Sequence, residues 1–135
     1  MMATATPYLF FKGNAEEAMN FYKGVFGAEL HTIPASAMGS DNPGLMHADL
    51  WVGDFRLFAS DSPPDFPTTP FGNAEICVNG ADDAEMARWF DALSDGGSVE
   101  QPLAEMPWGD KFGKFKDRYG VCWMFNVDSS AEQQG

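Results

Sequence analysis

The sequence predicts an α+β fold, a single domain in which two βαβββ units follow each other along 135 residues. Two observations support this prediction. Two amphipathic helices of the same residue pattern lie about half the chain apart, so that Glu17 and Tyr22 of one correspond to Glu85 and Phe90 of the other. One short apolar segment precedes each helix, and three segments with strand-like alternation follow it. We therefore interpret the chain as a duplicated unit.

The first helix is predicted to begin after Asn14. Asn14 and Glu17 have the spacing of a capping box, in which each side chain bonds a backbone N–H at the helix start. Gly27 is the expected end, since glycine readily adopts the left-handed conformation that closes a helix. The predicted apolar face comprises Ala18, Phe21, Tyr22, Val25 and Phe26.

The second helix repeats this arrangement. Asp82 and Glu85 form the predicted capping box, and Gly96-Gly97 is the predicted end. The predicted apolar face comprises Met86, Trp89, Phe90 and Leu93.

Eight segments are predicted strands. In the first repeat, about residues 5–61, they cover 7–11, 28–33, 45–52 and 55–60; in the second, about residues 71–128, they cover 74–78, 99–104, 111–115 and 121–127. Residues 62–70 contain four prolines and are predicted to link the repeats, because proline cannot donate to a strand ladder. Residues 129–135 are predicted to be a flexible polar tail.

Each predicted sheet has one helix and therefore one face that no helix covers. These faces must meet each other, a ligand or another subunit, so we expect mixed sheets around a cavity and a homodimer. Because side chains alternate along a strand, Cys122, Met124 and Asn126 are expected on the inner face of the last strand. Asn73, Glu75 and Cys77 are expected on the inner face of the fifth.

The composition excludes two classes of partner. Eight Lys and Arg against twenty Asp and Glu give a formal net charge of -12, the wrong sign for binding nucleic acid or an anionic membrane surface. No apolar stretch approaches the ~18 residues of a membrane span, and no cationic segment heads a secretory signal. We therefore expect a cytoplasmic protein.

Several stretches of the chain resemble one family. They are residues 7–14 leading into 18–27, residues 47–50, Ser60-Asp61, residues 108–113 and residues 117–121. Together with the tandem βαβββ pattern, they are similar to PhnB-like proteins of the glyoxalase, bleomycin-resistance and extradiol dioxygenase superfamily, the vicinal oxygen chelate superfamily. The resemblance covers nearly the whole chain and implies the fold of that superfamily, with curved mixed sheets around a cavity.

Metal-using members of the superfamily carry His, Gln or Glu ligands on the first and last strands of each unit. The resemblance transfers these positions to Pro7, Leu57, Asn73 and Met124, none of which is a good ligand. We therefore expect no metal and no cofactor. The same alignment places Asn73 beside Met124 and so separates Cys77 from Cys122 by roughly 20 Å, too far for a disulfide.

Some PhnB-like sequences carry the label demethylubiquinone methyltransferase. This chain has no glycine-rich turn from strand to helix followed by an acidic residue on a second strand. A site for a nucleotide-like methyl donor would need that arrangement. We therefore do not expect methyl transfer.

Three polar residues are candidates for ligand binding. His47 lies on the polar side of a predicted strand, where it can act as a base, orient a ligand or bond within the sheet. Asp61 ends the fourth strand and either contacts a ligand or caps the loop that follows. Glu75, between apolar neighbours on an inner face, either contacts the ligand or pairs with a basic side chain.

Three apolar residues complete the candidate site. Trp108 and Phe112 lie in and after a loop shaped by proline and glycine, where they can close over a ligand. Trp108 is equally suited to a dimer interface. Met124 is expected on the inner face of the last strand.

The sequence thus predicts a protein that binds a small, partly apolar molecule in a cavity lacking the usual metal ligands. Two alternatives remain open. One is a metal-dependent lyase or dioxygenase with a rearranged site. The other is a resistance protein that sequesters a drug. Recovery of an unchanged ligand after incubation distinguishes sequestration from catalysis.

Overall fold

A computed structural model describes residues 3–39, 41, 43–63 and 69–128. The chain divides into two compact units, Met1–Thr69 and Pro70–Gly135. Each contains one helix and one mixed four-stranded sheet in the order βαβββ, so the predicted α+β fold is confirmed. The greater part of the predicted linker, residues 64–68, and the predicted tail, residues 129–135, lie outside the described residues.

The first unit has the strand order β1-β4-β3-β2. Its elements are β1 (Tyr8–Phe11), α1 (Ala15–Phe26), β2 (Glu29–Pro34), β3 (Leu45–Val52) and β4 (Phe55–Asp61), with a short 3-10 helix over Ala35–Met38. Strand β1 runs parallel to β4, with Tyr8 opposite Phe58, and the other pairs are antiparallel. The parallel pair places the first strand of the unit beside its last.

The second unit has the equivalent order β5-β8-β7-β6. Its elements are β5 (Ile76–Gly80), α2 (Asp83–Ser94), β6 (Ser98–Glu105), β7 (Lys111–Lys116) and β8 (Cys122–Val127). Strand β5 runs parallel to β8, and the other pairs are antiparallel. No helix in the described part of the chain is long and apolar enough to cross a membrane.

The start of α1 differs from the prediction. Asn14 makes no side-chain hydrogen bond to the helix. The carboxylate of Asp61, at the end of β4, caps it instead: Oδ1 accepts from the backbone N–H of Gly13 at 2.7 Å and of Ala15 at 3.0 Å. A capping group from a distant strand replaces the local one because the N–H groups at a helix start need an acceptor of any origin.

Asp61 also ties β4 to the start of β3. Its Oδ2 accepts from the backbone N–H of Leu45 at 2.8 Å. Gly44 has a φ of +97°, and a β-carbon there would collide with the Asp61 carboxylate. The side chain thus joins three parts of the unit, and Gly44 is the residue that lets it approach.

The end of α1 and the cap of α2 follow the prediction more closely. Gly27 closes α1 in the left-handed conformation, with a φ of 65°. Asp82 caps α2 by accepting from the backbone N–H of Glu85 at 3.1 Å. On α1, Met19 is fully buried whereas Phe21 is half-buried, so the buried stripe is shifted slightly from the predicted one.

The core of the second unit centres on aromatic rings. Phe90 of α2 meets Phe115 edge-on at 4.9 Å between ring centroids and Phe125 at 5.6 Å. A β-carbon at Gly113 would collide with the Phe90 ring. The absence of a side chain at Gly113 therefore lets the Phe90 ring approach β7, and it also gives room to the Leu103 backbone of β6.

A buried aspartate organises the hairpin before β8. Asp117 Oδ1 accepts from the backbone N–H of Tyr119 and Val121, at 2.8 and 3.0 Å. Its Oδ2 accepts from the indole Nε1 of Trp123 at 2.9 Å. Each unit therefore has one aspartate whose carboxylate fixes backbone at a strand end.

The predicted register of β5 against β8 was wrong. Met124 lies opposite Cys77, not beside Asn73, so the register differs by four residues. Cys122 is two residues before Met124 on β8. Strand geometry therefore places the Cα atoms of Cys77 and Cys122 about 8 Å apart rather than roughly 20 Å. Both cysteines are free thiols, Cys77 exposed and Cys122 buried.

The Asp61 cap predicts a specific pattern of stability. Asp61→Ala removes three bonds from backbone N–H groups to a carboxylate, so we expect the free energy of unfolding to fall by about 3 kcal/mol. Urea denaturation would register this as a midpoint about 1.5 M lower.

Asn14→Ala is the matched control, since it removes the residue in the N-cap position without removing a hydrogen bond. We expect a change below about 0.5 kcal/mol, less than a true cap would cost. Equal losses in the two variants would contradict the assignment of the cap to Asp61.

Candidate functional site

One face of the first sheet is rich in exposed aromatic and polar side chains. Along β1, Leu9 and Phe11 are buried, whereas Tyr8 and Phe10 are 39% and 54% exposed. The same alternation in β3 and β4 buries residues such as Leu50. We call the side away from α1 the open face; its residues include Tyr8, Phe10, His47, Asp49, Trp51, Arg56 and Phe58.

Four rings of the open face touch one another. Tyr8 stacks on Phe10 with 4.9 Å between ring centroids and meets Phe58 edge-on at 6.0 Å. The imidazole of His47 lies 5.1 Å from Phe58 and 5.7 Å from Tyr8. The histidine is therefore set among aromatic rings.

A hydrogen bond joins two of these rings. The Tyr8 hydroxyl lies 3.1 Å from His47 Nδ1. The bond has either direction, since a neutral imidazole carries its proton on Nδ1 or on Nε2. If Tyr8 donates, Nε2 is a donor; if His47 donates, Nε2 is an acceptor. The pair can therefore offer a ligand either function.

An ion pair lies beside the rings. Arg56 donates from Nε to Asp49 Oδ1 at 3.0 Å and from Nη2 to Oδ2 at 2.5 Å. The guanidinium carbon is 5.2 Å from the centre of the Phe58 ring. The hydrogen bond to Asp49 raises the pKa of Arg56. Because the arginine is largely exposed, the pair contributes little to stability, but it fixes a cation next to Phe58.

Two of the predicted candidates belong to the first unit. His47 lies on the open face, whereas Asp61 is bound to backbone groups of its own unit. Three backbone N–H groups occupy the Asp61 carboxylate. These bonds give Asp61 a structural role at the beginning of β3, two residues before His47.

In the second unit, Glu75 and Met124 lie near each other around Lys114. Glu75 comes just before β5 rather than within it, and its Oε2 accepts from Lys114 Nζ at 3.0 Å. This hydrogen bond raises the pKa of Lys114. Met124 lies opposite Lys114 on one side and Cys77 on the other. Glu75 is therefore engaged in the pairing considered as its alternative role.

Trp108 and Phe112 contact each other. Their ring centroids are 6.5 Å apart in an edge-on arrangement, and Trp108 is 66% exposed. Phe112 lies opposite Asn126, whose side chain donates to Asp110 at 3.2 Å. These residues form a second aromatic surface, separate from His47 in sequence and within the other unit.

The first-unit positions transferred from metal-using relatives, Pro7 and Leu57, offer no metal-ligating side chain. Leu57 is fully buried on the helix side of its sheet, and Pro7 contributes a carbonyl that accepts from the Phe58 backbone N–H at 3.0 Å. Their neighbours Tyr8 and Phe58 are the residues on the open face. Among the described residues, no three His, Cys, Asp or Glu side chains form a group able to hold a metal ion.

The sequence prediction did not include Tyr8, Phe10, Arg56 and Phe58 among the candidate site residues. The signal was present, since the alternation that places His47 and Asp49 on the polar side of β3 can be applied to β1 and β4. It would have selected Tyr8 and Phe10 over Pro7, and Arg56 and Phe58 over Leu57.

A sequence model of the family described as 3-demethylubiquinone-9 3-methyltransferase matches residues 3–125. The chain belongs to this family. The protein YjdN of Escherichia coli is 30% identical over 90% of this chain and 93% of its own length. The predicted PhnB-like membership is confirmed.

Solved structures support the same assignment. Protein PA1353 from Pseudomonas aeruginosa is 39% identical, with a TM-score of 0.85 over 94% of this chain and 98% of its own. A Bacillus cereus protein named putative 3-demethylubiquinone-9 3-methyltransferase, PhnB protein, is 27% identical, with a TM-score of 0.80 over 93% and 100%.

A more distant structure shows the wider fold. The glyoxylase/bleomycin resistance protein/dioxygenase domain from Frankia sp. EAN1pec is 10% identical, with a TM-score of 0.68 over 94% of this chain and 98% of its own. The predicted superfamily fold is therefore confirmed.

Proposed function

We propose that this PhnB-like protein binds a small, partly apolar molecule on the open face of the first sheet, without the usual metal ligands. The observation that carries the proposal is the Tyr8–His47 hydrogen bond set among partly exposed aromatic rings. Ligand sites commonly combine a mainly apolar lining with a few placed polar groups. The open face has this composition.

Ligand binding would explain why the open face carries aromatic side chains. Burying an exposed phenylalanine or tryptophan against a ligand contributes more than burying a small side chain, because the contact area is larger. Aromatic rings also lose little conformational freedom on binding. Phe10 and Trp51 therefore supply affinity, whereas His47 and Arg56 supply orientation.

The other candidate residues enter the proposal with smaller roles. Four candidates of the second unit are proposed to contact a ligand within that unit: Glu75, Met124, Trp108 and Phe112. Asp61 is proposed to hold the strand that carries His47. The alternatives are a lyase or dioxygenase with a rearranged metal site and a drug-sequestering protein. The family description adds methyl transfer, which would require S-adenosylmethionine or a similar donor to bind.

The proposal extends to a cytoplasmic homodimer. Strands β2 and β6 lie at the edges of their sheets, and an edge strand is suited to pairing with a second copy. Sedimentation is expected to give about twice the 14.8 kDa mass of the chain. A monomer at micromolar concentration would contradict this part of the proposal.

Binding to the open face can be measured with anilinonaphthalene sulfonate, an aromatic anion that fluoresces strongly in apolar surroundings. We expect saturable binding to the folded protein. Phe10→Ala is expected to weaken it about tenfold, because losing the ring removes about 1.4 kcal/mol of burial.

Met46→Ala is the matched control. Met46 is 43% exposed, similar to Phe10, but alternates with Ala48 and Leu50 on the other side of β3. Its replacement is expected to leave binding unchanged. Melting temperatures show whether both variants are folded. If both are folded and change the affinity for the probe equally, the probe binds away from the open face.

The proposed absence of a metal at the site gives a separate prediction. Millimolar nickel, zinc, manganese or iron(II) is expected to leave the thermal stability unchanged, whereas a micromolar site would add about 4 kcal/mol. Stabilisation that disappears in His47→Ala or Glu75→Ala would favour the rearranged-metal enzyme over metal-free binding.

A further inference from the structure

We propose that the Tyr8–His47 pair is a proton-accepting anchor for a planar ligand with an acidic hydroxyl group, a phenol or an enol. This inference rests on the proposed function and specifies its ligand class. It depends on the geometry of the pair, on the rings around it and on the neighbouring charges.

The geometry leaves one imidazole nitrogen for the ligand. Tyr8 engages His47 Nδ1 at 3.1 Å, and no hydrogen bond to Nε2 is formed within the described residues. When Nδ1–H donates to the tyrosine oxygen, Nε2 carries a lone pair that can accept a proton. In this tautomer the tyrosine orients the ring and leaves Nε2 as the basic nitrogen.

The proton transfer is balanced without any co-reactant. The ligand O–H bond breaks, an N–H bond forms at Nε2, and the ligand becomes an anion beside an imidazolium cation. No atom is oxidised or reduced. The imidazolium keeps its Nδ1–H bond to Tyr8, so the pair remains intact in both protonation states.

The surroundings favour a flat, aromatic or conjugated ligand. The imidazole is flanked by the rings of Tyr8 and Phe58, and the Tyr8 ring stacks on the exposed Phe10 ring. A planar ring that reaches Nε2 can stack on or meet the edge of these rings, both of which are favourable geometries. A saturated ligand would not gain from these contacts.

The charged side chains near His47 affect the stability of the ionised ligand. On its own strand, Asp49 is paired with Arg56 of β4, and both His47 and Arg56 lie against the Phe58 ring. On β2, His31 lies opposite Asp49, while β1 contributes Tyr8. Because Arg56 balances the Asp49 charge, this carboxylate does not repel the ligand anion.

The experiment uses para-nitrophenol, whose neutral and ionised forms have different absorption spectra. Binding is measured by quenching of tryptophan fluorescence, and the pKa of the bound probe by a pH titration of its absorbance. We expect the pKa of the probe to fall by about one pH unit on binding, because an opposite charge at hydrogen-bond distance favours the ionised form.

Three variants separate the roles. His47→Gln is expected to retain quenching but abolish the fall in the probe pKa. Tyr8→Phe keeps the ring while removing the hydroxyl, and is expected to weaken binding about fivefold. Met46→Ala changes a residue on the other side of β3 from His47 and is expected to change neither quantity.

The outcomes distinguish this inference from the proposed function. Quenching without a fall in the probe pKa, or a fall that persists in His47→Gln, overturns the proton-accepting anchor and leaves small-molecule binding intact. Failure to bind para-nitrophenol while anilinonaphthalene sulfonate binds the open face also overturns the inference alone. Failure of both probes to bind overturns both proposals.

Discussion

The constraint on which the structure depends is that each four-stranded sheet has only one helix to cover it. Side chains alternate along a strand, so one set packs against the helix and the other faces away from it. In the first unit the packed set is apolar, as in Leu50 and Leu57, whereas the other set includes Tyr8, His47 and Arg56. Residues that combine an apolar body with a polar end are suited to a face that meets both water and a ligand.

The two aspartates explain how this face is held in place. Asp61 ties the end of β4 to the start of α1 and to Leu45, and Asp117 fixes the hairpin that leads into β8. Both act on backbone N–H groups through a carboxylate, so their bonds are stronger than those between neutral groups. Because Leu45 is two residues before His47, the cap of α1 and the position of the histidine depend on the same side chain.

Much of the fold could be predicted because the helix and strand patterns are local. The Asp61 cap could not, since the cap joins residues more than forty positions apart and Asn14 offered a plausible local alternative. The register of β5 was wrong by four residues because an even shift keeps every side chain on its original face. Hydrophobic alternation therefore cannot distinguish the two registers, whereas it does identify Tyr8 and Phe58 as open-face residues.

The central claim, that the open face of the first unit is the binding surface, can be tested by nuclear magnetic resonance of the protein titrated with anilinonaphthalene sulfonate. The four tryptophans supply one indole N–H signal each, and they sample different surfaces. Trp51 lies on the open face, Trp108 is exposed in the second unit, and Trp123 is buried. The account predicts that the Trp51 signal moves while the signal of the buried Trp123 stays in place; an unchanged Trp51 signal in a protein that binds the probe would contradict it.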